Sequence, residues 1–147
     1  VLVVQFMKGN VQYGELESVK KLSPYLTLKQ VGRETFISKR NPDPKDSKLA
    51  QEGFSIAKKA IQDEEYDIVI LDEINLAIDY GLIPLDDLLR LIDSKPDTIE
   101  LILTGRNVSR EILERADLIT HQAVQNAPCL LGFIFRLLQL SGILESL

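Results

Sequence analysis

A short apolar run that ends in two adjacent carboxylates constrains the fold of this chain more than any other feature. Residues 68–71 are β-branched or leucine, which is typical of a parallel strand that helices cover on both faces. Asp72 and Glu73 follow directly, and ligands of open α/β sheets bind beyond the carboxyl ends of the strands. The pair therefore has two interpretations: it lines a ligand site, or it caps a following helix over residues 74–80.

Strand-like and helical patterns alternate along the rest of the sequence. The predicted strands cover residues 1–6, 25–31, 67–71, 99–104 and 117–120. The predicted helices cover residues 14–22, 44–65, 84–94 and 109–116, in addition to the short helix over 74–80. Alternating strands and helices imply right-handed crossovers and a mostly parallel sheet flanked by helices. The predicted fold class is therefore α/β, as a single domain over residues 1–147.

Length and composition narrow the class of protein. The 147 residues suffice for one buried core, and 45% hydrophobic with 27% charged residues is ordinary for a globular protein. The net charge of −5 argues against a nucleic-acid partner, which needs a basic surface. No apolar run is long enough to span a bilayer, so no membrane partner is expected. One cysteine and one histidine cannot build a disulfide framework or a zinc site, and they fit a reducing, cytoplasmic compartment.

Two basic residues follow predicted strands at the same edge of the sheet as the acidic pair. Arg106 comes after the apolar run 99–103 and after Gly105, which permits a tight turn. Lys8 follows the first strand. A carboxylate for a metal and cations for phosphate are complementary needs of a nucleotide site. Two alternatives stay open: Arg106 pairs with a nearby acid such as Asp117, and Lys8 is a solvated lysine in a turn.

A series of short motifs follows one order along the chain. The motifs are Gln5-Phe-Met-Lys-Gly9, Gly14-Glu15, Tyr66-Asp67, Leu71-Asp-Glu-Ile-Asn75, Gly81-Leu82, Thr104-Gly-Arg106 and Ala116-Asp117 followed by Thr120. In this order they resemble the P-loop class of ATP:corrinoid adenosyltransferases, whereas generic P-loop ATPases share only the strand that ends in Asp-Glu. The resemblance covers residues 1–120, implies a RecA-like P-loop NTPase fold, and leaves 121–147 as a divergent apolar segment.

The resemblance implies an enzyme and its substrates. Such an enzyme transfers the 5′-deoxyadenosyl group of ATP to the reduced cobalt of cob(I)alamin, or of a related cob(I)yrinic acid derivative, and releases triphosphate. Cobalt(I) is itself a strong nucleophile, so the protein supplies positioning and electrostatic stabilisation. The expected small molecules are ATP, Mg²⁺ and a corrinoid. The expected macromolecular partners are an electron-donor protein and a second copy of the chain, as a homodimer.

The resemblance also assigns roles to individual residues. Glu73 is expected to handle the magnesium ion, with Asp72 beside it. Lys8 and Arg106 are expected to contact the bound ligands, and Arg106 is the one candidate for a catalytic role. Phe36 is the nearest counterpart of an aromatic residue that covers the corrinoid, against the alternative of ordinary core packing.

Two departures from the family pattern lead to further expectations. The phosphate loop G-x-x-x-x-G-K-[ST] does not occur in these residues and is expected on a strand before Val1. The chain is therefore expected to be incomplete. Without the amides and the lysine of that loop, it is expected to bind ATP poorly. Loss of that strand is expected to leave a gap in the sheet. Two interpretations of the apolar segment 121–147 stay open: it forms a helix against the sheet or a partner subunit, or it comes from an altered reading frame. A non-catalytic corrinoid- or partner-binding protein and a different P-loop phosphohydrolase stay as alternatives.

Overall fold

A computed structural model describes residues 1–9, 14–121 and 136–140. Its strands are β1 Leu2–Phe6, β2 Thr27–Val31, β3 Ile68–Asp72, β4 Glu100–Leu103, β5 Leu118–His121 and β6 Arg136–Leu140. Its helices are α1 Gly14–Lys21, α2 Pro44–Gln62, α3 Ile74–Asp79, α4 Leu85–Ser94 and α5 Arg110–Leu113. Every strand and helix predicted within residues 1–120 is present, with ends that differ from the prediction by up to three residues.

The sheet has the strand order β2-β1-β3-β4-β6-β5. β1 pairs in parallel with β2 and with β3, and β3 pairs in parallel with β4. The carboxyl ends of these four strands therefore lie side by side at one edge. The predicted α/β fold with a mostly parallel sheet is confirmed.

The strand β6 lies between β4 and β5 and is antiparallel to both. The expectation of a helix in the apolar segment 121–147 is therefore wrong for Arg136–Leu140. A leucine-rich run fits either structure, and pairing with the backbone groups of two neighbouring strands outweighs its local preference for helix. Residues 122–135 and 141–147 of that expectation lie outside the described part of the chain.

The core lies between the parallel strands and the helices. Val4, Leu71 and Leu103 are register partners across three neighbouring strands, and all three are fully buried. The helix α2 buries residues three or four positions apart, as an amphipathic helix does: Ala50, Gly53, Phe54, Ala57 and Ile61. A Cβ atom on Gly53 would lie 2.4 Å from Cγ2 of Val31, so glycine allows α2 to approach β2 this closely. Among the helices described, none is both long and apolar enough to cross a membrane.

Candidate functional site

The carboxylate of Asp72 is the centre of a polar network at the ends of three strands. Its Oδ2 accepts hydrogen bonds from Nζ of Lys8 at 2.9 Å and from Nε2 of Gln5 at 3.2 Å. Its Oδ1 accepts from Oγ1 of Thr104 at 2.8 Å. Lys8 is thus held by an ion pair, and its interpretation as a solvated lysine is wrong.

Glu73 lies beside this network in a different environment. Its backbone is left-handed, with φ 62° and ψ 19°, and its amide donates to Oγ1 of Thr104 at 2.9 Å. Its side chain makes no capping bond to α3, so the interpretation as a helix cap is wrong for this residue. Its Oε2 atom is buried and has no hydrogen-bond partner among the described residues. A strained residue with an unsatisfied buried carboxylate oxygen is typical of a functional site.

Burial and three neighbouring charges shift the pKa of Glu73, and they do not all act in the same direction. Burial is the main cause that raises the pKa of Glu73 above its ordinary value, and the neighbouring charge of Asp72 adds to it. The positive charges of Arg106 and Lys8 act against this increase. A divalent cation at Oε2 would stabilise the charged carboxylate in the same way, and with greater strength.

The two carboxylates fit a magnesium ion that takes most of its ligands from elsewhere. Mg²⁺ prefers oxygen ligands, commonly one or two carboxylates together with water and substrate phosphates. Within residues 1–9 and 14–121, no group of three or more acidic, histidine or cysteine side chains converges on one point. A magnesium ion held by Asp72 and Glu73 would thus need further ligands, such as water or phosphate oxygens.

Arg106 follows β4 on a turn that packs against the start of α3. Gly105 has φ 126°, and a Cβ atom there would lie 3.1 Å from Cβ of Asn75 and 3.2 Å from the amide of Leu76. Glycine is therefore required for this turn to approach α3. The charge of Arg106 reaches Glu73, as the sequence predicts, while its alternative pairing with Asp117 stays a prediction.

Phe36 is fully exposed, at 100% of its surface, and the interpretation as a core residue is wrong. The next residue, Ile37, is only 6% exposed and belongs to the core. A cleft of about 200 Å³ lies beside them, and Lys8 and Tyr80 are among its lining residues. Lys8 thus connects the cleft at Phe36 with the carboxylate network.

The segment that carries Phe36 packs backbone against backbone on the turn that carries Lys8. A Cβ atom on Gly9 would lie 2.4 Å from the carbonyl carbon of Arg33, and one on Gly32 would lie 2.7 Å from the amide nitrogen of Lys8. Both glycines are therefore needed for this contact. It fixes the distance between the exposed phenylalanine and the polar network.

A cluster around Arg33 holds the same segment to the start of α2. The guanidinium donates to both carboxylate oxygens of Asp46, at 2.6 Å and 2.7 Å, and to Asp43 at 3.1 Å. The hydrogen bond from Arg33 is the main cause that holds the pKa of Asp46 below its ordinary value. Sequence reasoning missed this cluster, although the spacing of Asp43 and Asp46 before a helix is the signal of a capping box.

Gly14 begins α1, as predicted, and residues 10–13 before it lie outside the described part of the chain.

Comparison with known proteins agrees with the order of the motifs. The family model described as ATP:corrinoid adenosyltransferase BtuR/CobO/CobP matches residues 1–131. A protein named corrinoid adenosyltransferase from Sinorhizobium sp is 34% identical over 131 residues, which cover 86% of this chain and 59% of that protein. Its namesake from Escherichia coli (strain K12) is 31% identical over 118 residues, 80% of this chain and 59% of that protein.

A Nostoc sp. protein named uncharacterized protein all2391 is 35% identical over 124 residues, which cover 80% of this chain and 32% of that protein. The chain thus spans less than two thirds of the length of each of these three relatives.

Proposed function

Because this chain belongs to the ATP:corrinoid adenosyltransferase family, we propose that it forms part of an enzyme that transfers the 5′-deoxyadenosyl group of ATP to a reduced corrinoid. The corrinoid would be cob(I)alamin or a cob(I)yrinic acid derivative. One observation carries the proposal: an unsatisfied carboxylate, Glu73, and two cations lie at one edge of the sheet, next to a cleft with a fully exposed Phe36.

In the proposed reaction, cobalt(I) attacks C5′ of ATP. A cobalt–carbon bond forms, the bond from C5′ to its oxygen breaks, and the electron pair leaves with the triphosphate. Since cobalt(I) is the nucleophile, the task of the protein is to hold the two substrates in line and to stabilise the negative charge of the leaving group.

Glu73 and Asp72 would hold a magnesium ion that neutralises part of the phosphate charge. The unsatisfied Oε2 of Glu73 makes it the better ligand, since the oxygens of Asp72 already accept bonds from Lys8, Gln5 and Thr104. Bound metal would remove the unfavourable burial of the Glu73 charge.

Lys8 and Arg106 would stabilise the triphosphate as it leaves. Both carry positive charge close enough to Glu73 to act on its pKa. An arginine fork and a lysine ammonium are the usual partners of phosphate oxygens. Arg106 is the better candidate for a transition-state contact, because its guanidinium fork can bond two phosphate oxygens at once, whereas an ammonium acts as a point charge.

Phe36 would lie against the corrinoid ring. A flat, apolar side chain that is fully exposed on a well-anchored segment offers a large contact area at little cost in conformational entropy. An electron-donor protein that reduces the cobalt, a homodimeric assembly and a cytoplasmic location are further parts of the proposal.

The experiment is the formation of adenosylated corrinoid from ATP under strongly reducing conditions, with the intact native protein and two variants. Glu73→Ala should slow turnover by about 100-fold, because the site would no longer hold the magnesium ion that neutralises phosphate charge. Phe36→Ala should weaken corrinoid binding by about tenfold and leave ATP binding unchanged, because only the ring contact is lost.

Matched controls separate these effects from misfolding. Glu17→Ala removes a carboxylate from the exposed surface of α1, and Tyr25→Ala removes an aromatic ring that is 82% exposed. Both controls should behave like the wild type. Full turnover in Glu73→Ala would contradict the assignment of Glu73 as a metal ligand. Equal losses of ATP and corrinoid binding in Phe36→Ala would contradict the proposed contact between Phe36 and the corrinoid.

The alternative of a non-catalytic corrinoid-binding protein gives a different result. Its support is that the cleft at Phe36 is lined by residues 7–9, 33–37 and 80, without Glu73 or Arg106. Corrinoid binding that is indifferent to magnesium and ATP, with no adenosylated product, would favour it.

A further inference from the structure

Asp79, the last residue of α3, joins two segments that are far apart in sequence. Its Oδ2 atom accepts a hydrogen bond from Nζ of Lys39 at 2.6 Å and another from Nδ2 of Asn107 at 2.9 Å. The side chain of Asp79 is only 21% exposed. One carboxylate oxygen thus holds both partners.

Each partner belongs to one half of the proposed site. Lys39 lies on residues 32–43, the Phe36 loop, and Asn107 lies on residues 104–107, the Gly105 turn, which also carries Arg106. The helix α3, which ends at Asp79, begins directly after Glu73. Asp79 is therefore connected to the corrinoid side, the phosphate side and the metal side of the site.

The local rules of helix structure do not favour an acid at this position. A carboxylate in the last turn of a helix meets the negative end of the helix dipole, and α3 has no basic residue in that turn. Asn107 has a left-handed backbone, with φ 56°, which also has a conformational cost. Contacts between Asp79 and its two partners offset both costs.

Lys39 makes a second contact with the end of α3. Its Nζ lies 5.9 Å from the ring centroid of Tyr80, within the range of a cation–π interaction. Tyr80 also lines the cleft beside Phe36. The Phe36 loop is therefore held to α3 at two neighbouring residues.

We propose that Asp79 is a positioning residue that keeps the Phe36 loop and the Gly105 turn at a fixed separation, and with them the corrinoid and the triphosphate. It touches neither substrate. A reaction slows when its two reacting groups are misplaced by a fraction of a bond length. Loss of the contacts at Asp79 should therefore lower the reaction rate. The inference rests on the proposed function for its consequence in catalysis, but the coupling of the two segments is a property of the fold.

The first experiment measures that coupling without any substrate. In the native protein, backbone hydrogen exchange is followed in the Phe36 loop and in the Gly105 turn. Asn107→Gly removes one partner and keeps the left-handed backbone accessible. It should speed exchange in the Phe36 loop by about threefold, although the hydrogen bond that is lost goes to Asp79 and not to that loop. Unchanged exchange in the Phe36 loop would overturn the coupling.

The second experiment measures the effect on catalysis. Asp79→Ala should raise the KM for the corrinoid and lower kcat, with a loss in kcat/KM of about tenfold. The KM for ATP should change less than twofold. Asp79→Glu keeps the charge and should recover part of the loss, which a purely structural role would not predict.

The control is Glu17→Ala, which breaks an exposed ion pair of the same 2.6 Å length on α1 and should change neither readout. Asp79→Ala should unfold at nearly the same temperature as this control, because Lys39 is 53% exposed and such pairs add little stability. Wild-type kcat/KM in Asp79→Ala would overturn the positioning role. If the wild-type protein forms no adenosylated corrinoid, the proposed function fails, and the exchange experiment still decides the coupling.

Discussion

At the scale of single residues, Asp72 and Glu73 are chemically alike and adjacent, yet their environments differ. Asp72 accepts hydrogen bonds from three side chains, whereas Oε2 of Glu73 is buried and accepts none among the described residues. A paired carboxylate stabilises a fold, and an unsatisfied one destabilises it. The two acids therefore have opposite effects on the free energy of unfolding.

Neutral substitutions should reveal this difference. Glu73→Gln should raise the free energy of unfolding by about 1 kcal/mol, because it removes a buried charge. Asp72→Asn should lower it by about 2 kcal/mol, because the ion pair between Lys8 and the Asp72 carboxylate is lost. Denaturant titration at neutral pH measures both values. A loss of stability in Glu73→Gln would contradict the assignment of an unfavourable charge.

The stability gained in Glu73→Gln should depend on pH in a defined direction. The pKa of Glu73 is raised above its ordinary value of 4.5, so the folded state binds the proton more tightly than the unfolded chain does. The contribution of Glu73 to stability is fully present below its unfolded-state pKa and is lost as the pH rises through its folded-state pKa. The advantage of Glu73→Gln should therefore be largest at neutral pH and vanish below about pH 4.

At the scale of elements, the start of α2 depends on a contact from outside the helix. Asp43 and Asp46 form a capping box, and Arg33, just after β2, bonds both carboxylates. Asp46 is 2% exposed. The helix start and the strand end are therefore fixed to each other by one guanidinium group.

Asp46→Asn should lower the unfolding temperature by on the order of 5 °C, because Arg33 and the cap lose a buried anion. Since Arg33 lowers the pKa of Asp46, this stabilisation is present above the unfolded-state pKa and is lost as the pH falls through the folded-state pKa. Wild type and variant should therefore converge in acid. Asp87→Asn, in the exposed first turn of α4, is the control and should change little. A similar drop in both variants would contradict the special role of Asp46.

The elements themselves could largely be predicted from the sequence, because hydrophobic periodicity and turn residues are local signals. The convergence of Lys8, Asp72, Glu73 and Arg106 was also predictable, since parallel strands bring their carboxyl ends to one edge. Exposure of Phe36 was not predictable, because a phenylalanine next to Ile37 fits a core equally well by pattern.

Contacts between segments that are distant in sequence could not be predicted from the sequence. Lys39 and Asp79 are 40 residues apart, and Asp79 and Asn107 are 28 apart. The pairing of β6 is of the same kind, since a leucine-rich run shows neither its partner strands nor its direction. Secondary-structure propensity is a property of one segment, whereas these contacts depend on where the other segments of the fold lie.

At the scale of the whole molecule, the two halves of the candidate site share one backbone contact. The turn after β1 and the segment after β2 approach so closely that a Cβ atom on Gly9 would lie 2.4 Å from the backbone of Arg33 and Glu34. Side chains at the polar network and at the Phe36 cleft are therefore placed by the same contact.

Gly9→Ala should separate these two segments and lower the free energy of unfolding by about 2–3 kcal/mol, because backbone atoms must move. Gly81→Ala is the matched control: Gly81 has φ 69° and no atom within 4 Å of an added Cβ, so only backbone strain of about 1 kcal/mol is expected. Denaturant titration of the two variants gives the comparison. An equal loss of unfolding free energy in both variants would show that the added Cβ of Gly9→Ala does not strain the close backbone contact.

The position of β6 also sets an order of events during protein synthesis. β5 pairs with β6, and β6 joins it to β4. The ribosome releases β5 before β6, so β5 must wait for Leu140 to emerge before it can take its place in the sheet. The parallel strands β1 to β4 pair with one another, and β4 ends at Leu103, so all four are released before β5. The nascent chain therefore completes its site-bearing edge first and closes the far side of the sheet last.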